Sequence, residues 1–247
     1  MKPDRCLRSV ADSARGRAVM GLVWCLARTA AAACAKRYTA EKFMIKVKDN
    51  VRVFLIGGSS HSGKSTVAKT MANKMGWSFL STDSLARHPG RPWRKNSKDI
   101  PKHVVEHYLT LSVDELFEDV LSHYRRVWSN VEAIISMYTN DPSYGRLIIE
   151  GSAIWPEFVA DHIAPNTRSI WLTAENDQFQ ERIYQESNFE RVSDSEKYLI
   201  EKFLKRTQLF NEKMMVVVIQ RNLMSIEVDD TISSDDVSEI CLKMLMS

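Results

Sequence analysis

From Met44 onward, short runs of apolar residues alternate with longer segments in which apolar residues recur every three or four positions. Largely apolar runs at 51–56, 78–82, 147–150, 169–172 and 225–228 read as strands. The helical segments lie between them. One spans 65–75, with Val67 and Met71 facing inward, Met75 beside them and Gly76 closing it. Pro101 opens another that reaches about Leu109. Ser112 followed by Glu115 is a capping box for a long helix over 113–137, which Asn140-Asp141-Pro142 stops. A short helix is expected over 154–163, and two more over 177–186 and 194–215, joined by 187–193. A closing helix from Asp235 places Val237, Ile240, Cys241, Met244 and Leu245 on one face. Such alternation predicts an α/β fold: a three-layer αβα sandwich around a mainly parallel five-stranded sheet, with its active site outside the carboxyl ends of the strands.

The first strand runs into Gly58-Ser59-Ser60-His61-Ser62-Gly63-Lys64-Ser65, which fits G-x-x-x-x-G-K-[ST] at every fixed position. Wrapping a triphosphate needs glycines, so that backbone N–H groups can come close. It also needs a helix start, here at Lys64 to Thr66, whose unpaired donors and positive dipole end face the anion. Lys64 is placed to reach the β- and γ-phosphates, and the Ser65 hydroxyl to bind Mg²⁺. This predicts a nucleotide site with ATP and Mg²⁺ as its ligands.

Acidic residues at strand ends gain meaning beside such a loop. Asp83 ends the second strand, Glu150 the third, and Asp229-Asp230 follow the fifth. A carboxylate there can hold the metal through water or accept the proton of an attacking hydroxyl, and a helix cap or loop charge is the plainer use of the same residues. Asp83 is read as the acceptor-side group and Glu150 as the metal-side group, with Asp229 and Asp230 as neighbours of the base. The polar stretch Arg87-His88-Pro89-Gly90-Arg91-Pro92-Trp93-Arg94-Lys95 is a stiff basic loop, or a solvated one. Its Arg91 and Arg94 suit an anionic acceptor, because guanidinium forks pair bidentately with phosphate or carboxylate. A separate feature, His103-Val104-Val105-Glu106-His107, matches the inverted zinc-peptidase pattern H-x-x-E-H but specifies no third ligand.

Composition narrows the class further. The chain has 247 residues, 44% of them hydrophobic and 26% charged, enough for one large core. Its net charge of +3 divides unevenly: residues 1–43 carry nine Lys/Arg against three acids, so the rest is mildly acidic. That balance argues against nucleic-acid binding as the main role of the fold. The basic leader reads as an organelle-targeting segment, a secretory signal or an upstream extension, with Met44 opening the catalytic unit of 44–247. The expected location is cytoplasmic, or organellar if the leader is a transit segment. No uncharged apolar run reaches the length of about 18 residues that spans a membrane. The four cysteines are widely spaced and suggest neither a zinc site nor a disulfide framework.

Over residues 51–245 the chain resembles the P-loop small-molecule kinases, the group of adenylate, shikimate, gluconate and adenylylsulfate kinases. The residues that carry the likeness are the phosphate loop Gly58 to Ser65, Ser81-Thr82-Asp83, and an arginine-bearing helical lid after the fourth strand. The stretch Gly57 to Thr66 is also similar to proteins described as 2-phosphoglycerate kinase-like. The resemblance implies ATP-dependent phosphoryl transfer to a small-molecule hydroxyl, with Asp83 binding or deprotonating the acceptor. It also implies that lid arginines, here Arg182 and Arg191 with Arg206 on the helix behind, close on the phosphates. The family often has a Gly-rich third strand end, where this chain has Glu150-Gly151-Ser152. An ATP-hydrolysing module without an acceptor is the alternative. A GTPase would need an Asn-Lys-x-Asp element, and the one Asn-Lys, Asn73-Lys74, lies inside the first helix.

Overall fold

A computed structural model describes residues 50–85, 90–94, 99–161 and 164–246. The expectations for residues 1–43, and those for Arg87, His88, Pro89 and Lys95, lie outside the described residues. The strands are β1 (Val53–Gly58), β2 (Ser78–Ser81), β3 (Leu147–Glu150), β4 (Thr167–Thr173) and β5 (Ser225–Glu227). The helices are α1 (Lys64–Met75), α2 (Lys102–Thr110), α3 (Val113–Asn140), α4 (Pro156–Ala160), α5 (Asn176–Ser187), α6 (Asp194–Gln220) and α7 (Ser234–Met246). All strand pairs are parallel, in the order β2-β3-β1-β4-β5. This is the expected α/β fold around a parallel five-stranded sheet.

Central β1 is buried along its whole length, as a strand covered on both faces must be. Phe54 and Ile56 point to the face covered by α1 and α7, where they join Val67, Met71, Cys241 and Leu245 in one core. Alternation along the strand turns Val53 and Leu55 to the other face. A second apolar cluster ties α2 to α5 and α6 through Tyr108, Phe179, Ile183, Ile200 and Phe203, and takes in Trp93 from the basic loop. No helix among the described residues is long and apolar enough to cross a membrane.

The capping box is present: the Ser112 side chain accepts from the Glu115 amide, and Glu115 accepts from the Ser112 amide. The same arrangement, at Ser193 and Glu196, starts α6. Several elements differ from expectation, the long helix among them, since it runs on to Asn140. The short helix begins at Pro156, because a residue before proline is driven into extended backbone, as Trp155 is at φ −77° and ψ 135°. Helix α6 continues past 215 to Gln220, since Val216 to Ile219 hold no breaker and the chain turns only at Asn222, with φ 50°. In α7, Ile240 is exposed and Leu242 takes an inward position, so the buried stripe is Val237, Cys241, Leu242 and Leu245.

Gly57 sits where β1 and β4 pack closely. A Cβ there would run into the indole of Trp171 on neighbouring β4, whose Nε1 donates to the Ile154 carbonyl at 2.9 Å. Gly57→Ala should therefore lose about 1–3 kcal/mol of unfolding free energy through overpacking. Urea denaturation checks this, and a wild-type midpoint would show that Trp171 has room to move.

Candidate active site

At the end of β1 the backbone enters conformations that side chains resist. Gly58 has φ 143° and Gly63 φ 84°, and a Cβ on Gly58 would meet the Leu172 carbonyl and the Ser62 hydroxyl. His61 also takes a left-handed φ of 65°. Gly63 caps α1, its carbonyl accepting from the amides of Thr66 at 3.1 Å and Val67 at 3.2 Å. The first-turn amides of Lys64 and Ser65 fall outside the helix's own ladder and are left for an anion. Of the predicted phosphate site, Ser60, His61, Gly63, Lys64, Ser65 and Thr66 line a cleft of about 900 Å³, while Gly58, Ser59 and Ser62 shape the turn behind them without lining it.

Lys64 rises from the floor of that cleft. It is 7% exposed, and its Nζ donates to the Ser59 carbonyl at 2.6 Å. Burial pushes its pKa down, while the negative charges of Glu150 and Asp83 push it back up. Strand order explains why those two acids face the lysine. Glu150, 3% exposed, is in register with Ile56 of β1 and Ser81 of β2, so it ends the strand beside the phosphate loop. Asp83 lies one strand further out, exposed in a 3₁₀ turn over Thr82–Ser84. Gly151, with φ 148°, lets the two strand ends close up, because a Cβ there would collide with Thr82. Asp83 and Glu150 therefore line one cavity with Lys64, Glu150 from the strand next to β1 and Asp83 from one strand further out.

The basic loop closes the far wall. Arg91 and Arg94 both line the cleft, Trp93 is buried, and the Gly90 carbonyl accepts from the Tyr108 hydroxyl at 2.7 Å. Arg91 is paired with Glu186 of α5, and the other oxygen of Glu186 meets His61 Nε2 at 2.7 Å. Burial, reinforced by Arg91, pushes the His61 imidazole down to about 4 despite Glu186.

The two arginines expected in a lid occupy different places, and neither lines the cleft. Arg182 donates to the His61 carbonyl and to Asp230, both at 3.1 Å, and so ties the phosphate loop to the turn after β5. Asp229 caps that turn, accepting from the Thr231 and Ile232 amides. Arg191 is exposed in a 3₁₀ turn over Phe189–Arg191 and does not line the cleft. The connector before α6 is compact: Asn188 is left-handed at φ 54°, and Phe189 stacks on Tyr184 at 3.8 Å. His103 lines the cleft, whereas His107 packs on the Tyr108 ring with Asp119 at 3.9 Å. Among the described residues no group of three His, Cys, Asp or Glu could hold a metal, so the H-x-x-E-H pair lacks its third ligand there.

Several cleft residues are given no site role by the sequence: Glu186, His123, Tyr124, Ser152 and Phe203. Burial pushes the Tyr124 phenol up to about 12. Arg206 had a visible signal. It falls on the buried stripe Leu199, Phe203, Phe210, Met214 of α6, where an arginine is out of place unless it serves a site.

No family model matches the chain. Among curated proteins, 34 residues are 56% identical to a shikimate kinase of Nitratidesulfovibrio vulgaris, a stretch that is 14% of this chain and 19% of that enzyme. Similar solved structures include a shikimate kinase from Acinetobacter baumannii in complex with shikimate, at 14% identity over 79% of this chain and 93% of that one, TM-score 0.43. A gluconokinase from Sinorhizobium meliloti 1021 is 13% identical over 80% and 93%, TM-score 0.42. A deoxyadenosine kinase from M. mycoides with bound dATP is 12% identical over 80% and 100%, TM-score 0.43. None of these is a 2-phosphoglycerate kinase-like protein.

The neutral His61 has a consequence for acid stability. Its folded pKa lies below the unfolded value, so as pH falls from about 6.5 towards about 4 the unfolded chain takes up a proton that the folded chain refuses. Stability from this residue is complete above pH 6.5 and is lost across that window. His61→Gln should flatten the wild-type decline in unfolding free energy between pH 6.5 and 4.5, as measured by urea titration. Parallel pH profiles for the two proteins would show that His61 is charged in the fold.

Proposed function

We propose that the protein transfers the γ-phosphoryl group of ATP to a hydroxyl of a small anionic molecule. The observation that carries this reading is that Lys64, Asp83 and Glu150 converge on one cavity from the ends of three adjacent elements. A phosphate loop alone supports nucleotide binding, and a carboxylate across the cleft from it adds a group able to take a proton.

Each residue then has a task. The loop amides from Gly58 to Thr66 hold the phosphates, and the Lys64 ammonium is a point charge for oxygens on which charge develops. Ser65 and Glu150 fit Mg²⁺, the first as a hydroxyl at the helix start and the second as a buried carboxylate open to the same cavity. The metal would supply neutralisation of the phosphate oxygens. Asp83 orients the acceptor hydroxyl and accepts its proton as the new P–O bond forms and the bond to the ADP oxygen breaks. Arg182 braces the loop through the His61 carbonyl. Arg191 stands ready on the connector and acts only if 187–193 closes over the cleft.

The charge of the acceptor follows from the cations that face it. Arg206 is 6% exposed, lies 4.5 Å from the Phe203 ring and donates to the Tyr108 hydroxyl at 3.3 Å. No carboxylate of the described residues pairs with it. A buried guanidinium without a counter-ion is costly, and an anionic group on the acceptor offsets that cost when it enters. Arg94, exposed at the cleft mouth, and Arg91 add to the same field.

The test follows label from γ-labelled ATP in the presence of a panel of hydroxy acids and phosphorylated polyols. Label should appear in an organic phosphate. Lys64→Ala should lower turnover by roughly 10²-fold or more in a folded protein. Asp83→Asn should cut transfer strongly with ATP affinity within a few-fold of wild type, since the nucleotide is held elsewhere. Label in free phosphate alone would instead identify an ATP-hydrolysing module, and undiminished turnover in Lys64→Ala would remove the phosphate loop from the reaction.

A further inference from the structure

The variable positions of a phosphate loop ordinarily offer backbone amides, so a loop side chain wired to the opposite wall of the cleft calls for an explanation. His61 is such a side chain. Its ring is 6% exposed and is walled by Trp93 and Phe203, each 5.9 Å away, which themselves meet edge to face at 4.8 Å. Its backbone is held as well, because Arg182 grips the carbonyl. Three parts of the fold thus converge on this imidazole: the phosphate loop, the basic loop through Trp93, and α6 through Phe203.

Glu186 closes the ring. It lies near the carboxyl end of α5, two residues before left-handed Asn188, and its side chain is 19% exposed. One oxygen meets His61 Nε2 and the other meets Arg91 Nη1, whose guanidinium also sits 5.9 Å from the Trp93 ring. An exposed ion pair of this kind contributes little, but here the aromatic wall keeps water from one side of the carboxylate. Arg91 itself is 45% exposed, so without Glu186 its long side chain would sample many rotamers over the cleft.

We propose that Glu186 is a positioning residue that fixes acceptor-side Arg91 to the phosphate loop through His61, so that the nucleotide and acceptor walls of the cleft are set as one unit. This rests on the reading that the acceptor enters on the Arg91 side. Occupancy of the loop then bears on the geometry of residues 90–94, a segment that lines the same cleft. Arg91 is a binding group whose direction is set from the loop, and Glu186 acts through it.

Amide hydrogen exchange on the full chain tests this, free and with MgADP as the probe. In the free protein, Glu186→Ala should speed exchange across 90–94 by about tenfold, the effect of losing two charge-assisted hydrogen bonds. Glu186→Gln, which keeps the side-chain shape but only one acceptor oxygen and no charge, should fall between wild type and Glu186→Ala. The strand amides at 147–150 should exchange at the wild-type rate in both, marking an intact fold. In wild type, MgADP should slow exchange at 58–66 and 90–94 together, and in the Glu186 variants at 58–66 alone. Wild-type exchange at 90–94 in the variants, with or without MgADP, would overturn the proposal. If Glu186→Ala does not fold, Glu186→Gln decides by the same comparison. MgADP that leaves 58–66 unprotected in wild type would sink the nucleotide reading instead, and the free-protein comparison would still decide the role of Glu186.

Discussion

The site depends on one buried charge. The Lys64 ammonium lies under the phosphate loop, out of most of the water, and such a charge persists only when groups of opposite sign or strong dipole face it. The Ser59 carbonyl supplies the dipole, and Glu150 and Asp83 supply the charge. Strand order makes this possible. With β3 between β1 and β2, the carboxyl ends of three neighbouring strands present the loop, Glu150 and Asp83 in sequence across the sheet. The glycines follow from the same demand, since Gly58 lets the loop turn over the lysine and Gly151 lets the strand ends close beside it.

Away from that point the molecule is packed as an ordinary α/β core, and near it ordinary rules are relaxed. The Ser62 and Thr82 hydroxyls and His61 Nδ1 are buried with no hydrogen-bond partner among the described residues, and all three belong to the loop or to the strand end beside it. Others lie elsewhere, at Trp128 Nε1 and the hydroxyls of Thr167 and Thr207, so what sets this region apart is only that three such groups adjoin the loop. Arg206 belongs to the same pattern. It spends burial on a cation where a leucine would pack better, on a helix whose neighbouring stripe positions are apolar. The walls of the cleft are joined by side chains from three elements, so the loop over residues 90–94 is not an independent appendage.

Much of this was legible in the sequence because the signals are local. The phosphate loop, the Ser112–Glu115 capping box, the strand–helix alternation and the acids at the ends of β2 and β3 all lie within a few residues of the feature that gives them meaning. Pro156 shortened α4 by an equally local rule that the apolar count over 154–163 concealed. What stayed hidden depends on long-range closure. Glu186 meets His61 from 125 positions away and Arg91 from 95, and no periodicity on α5 distinguishes it from a solvated acid. The places of Arg182 and Arg191 were likewise undetermined, because a helix and its connector can present an arginine to the loop or to solvent with the same spacing.

The crystal structure of the MgADP complex tests the central claim most directly. The expected result is a β-phosphate within hydrogen-bond reach of Lys64 Nζ and of the loop amides. Lys64 Nζ would have left the Ser59 carbonyl, and the metal would lie between Ser65 and Glu150. Phosphates bound elsewhere, with Lys64 still on Ser59, would contradict the account.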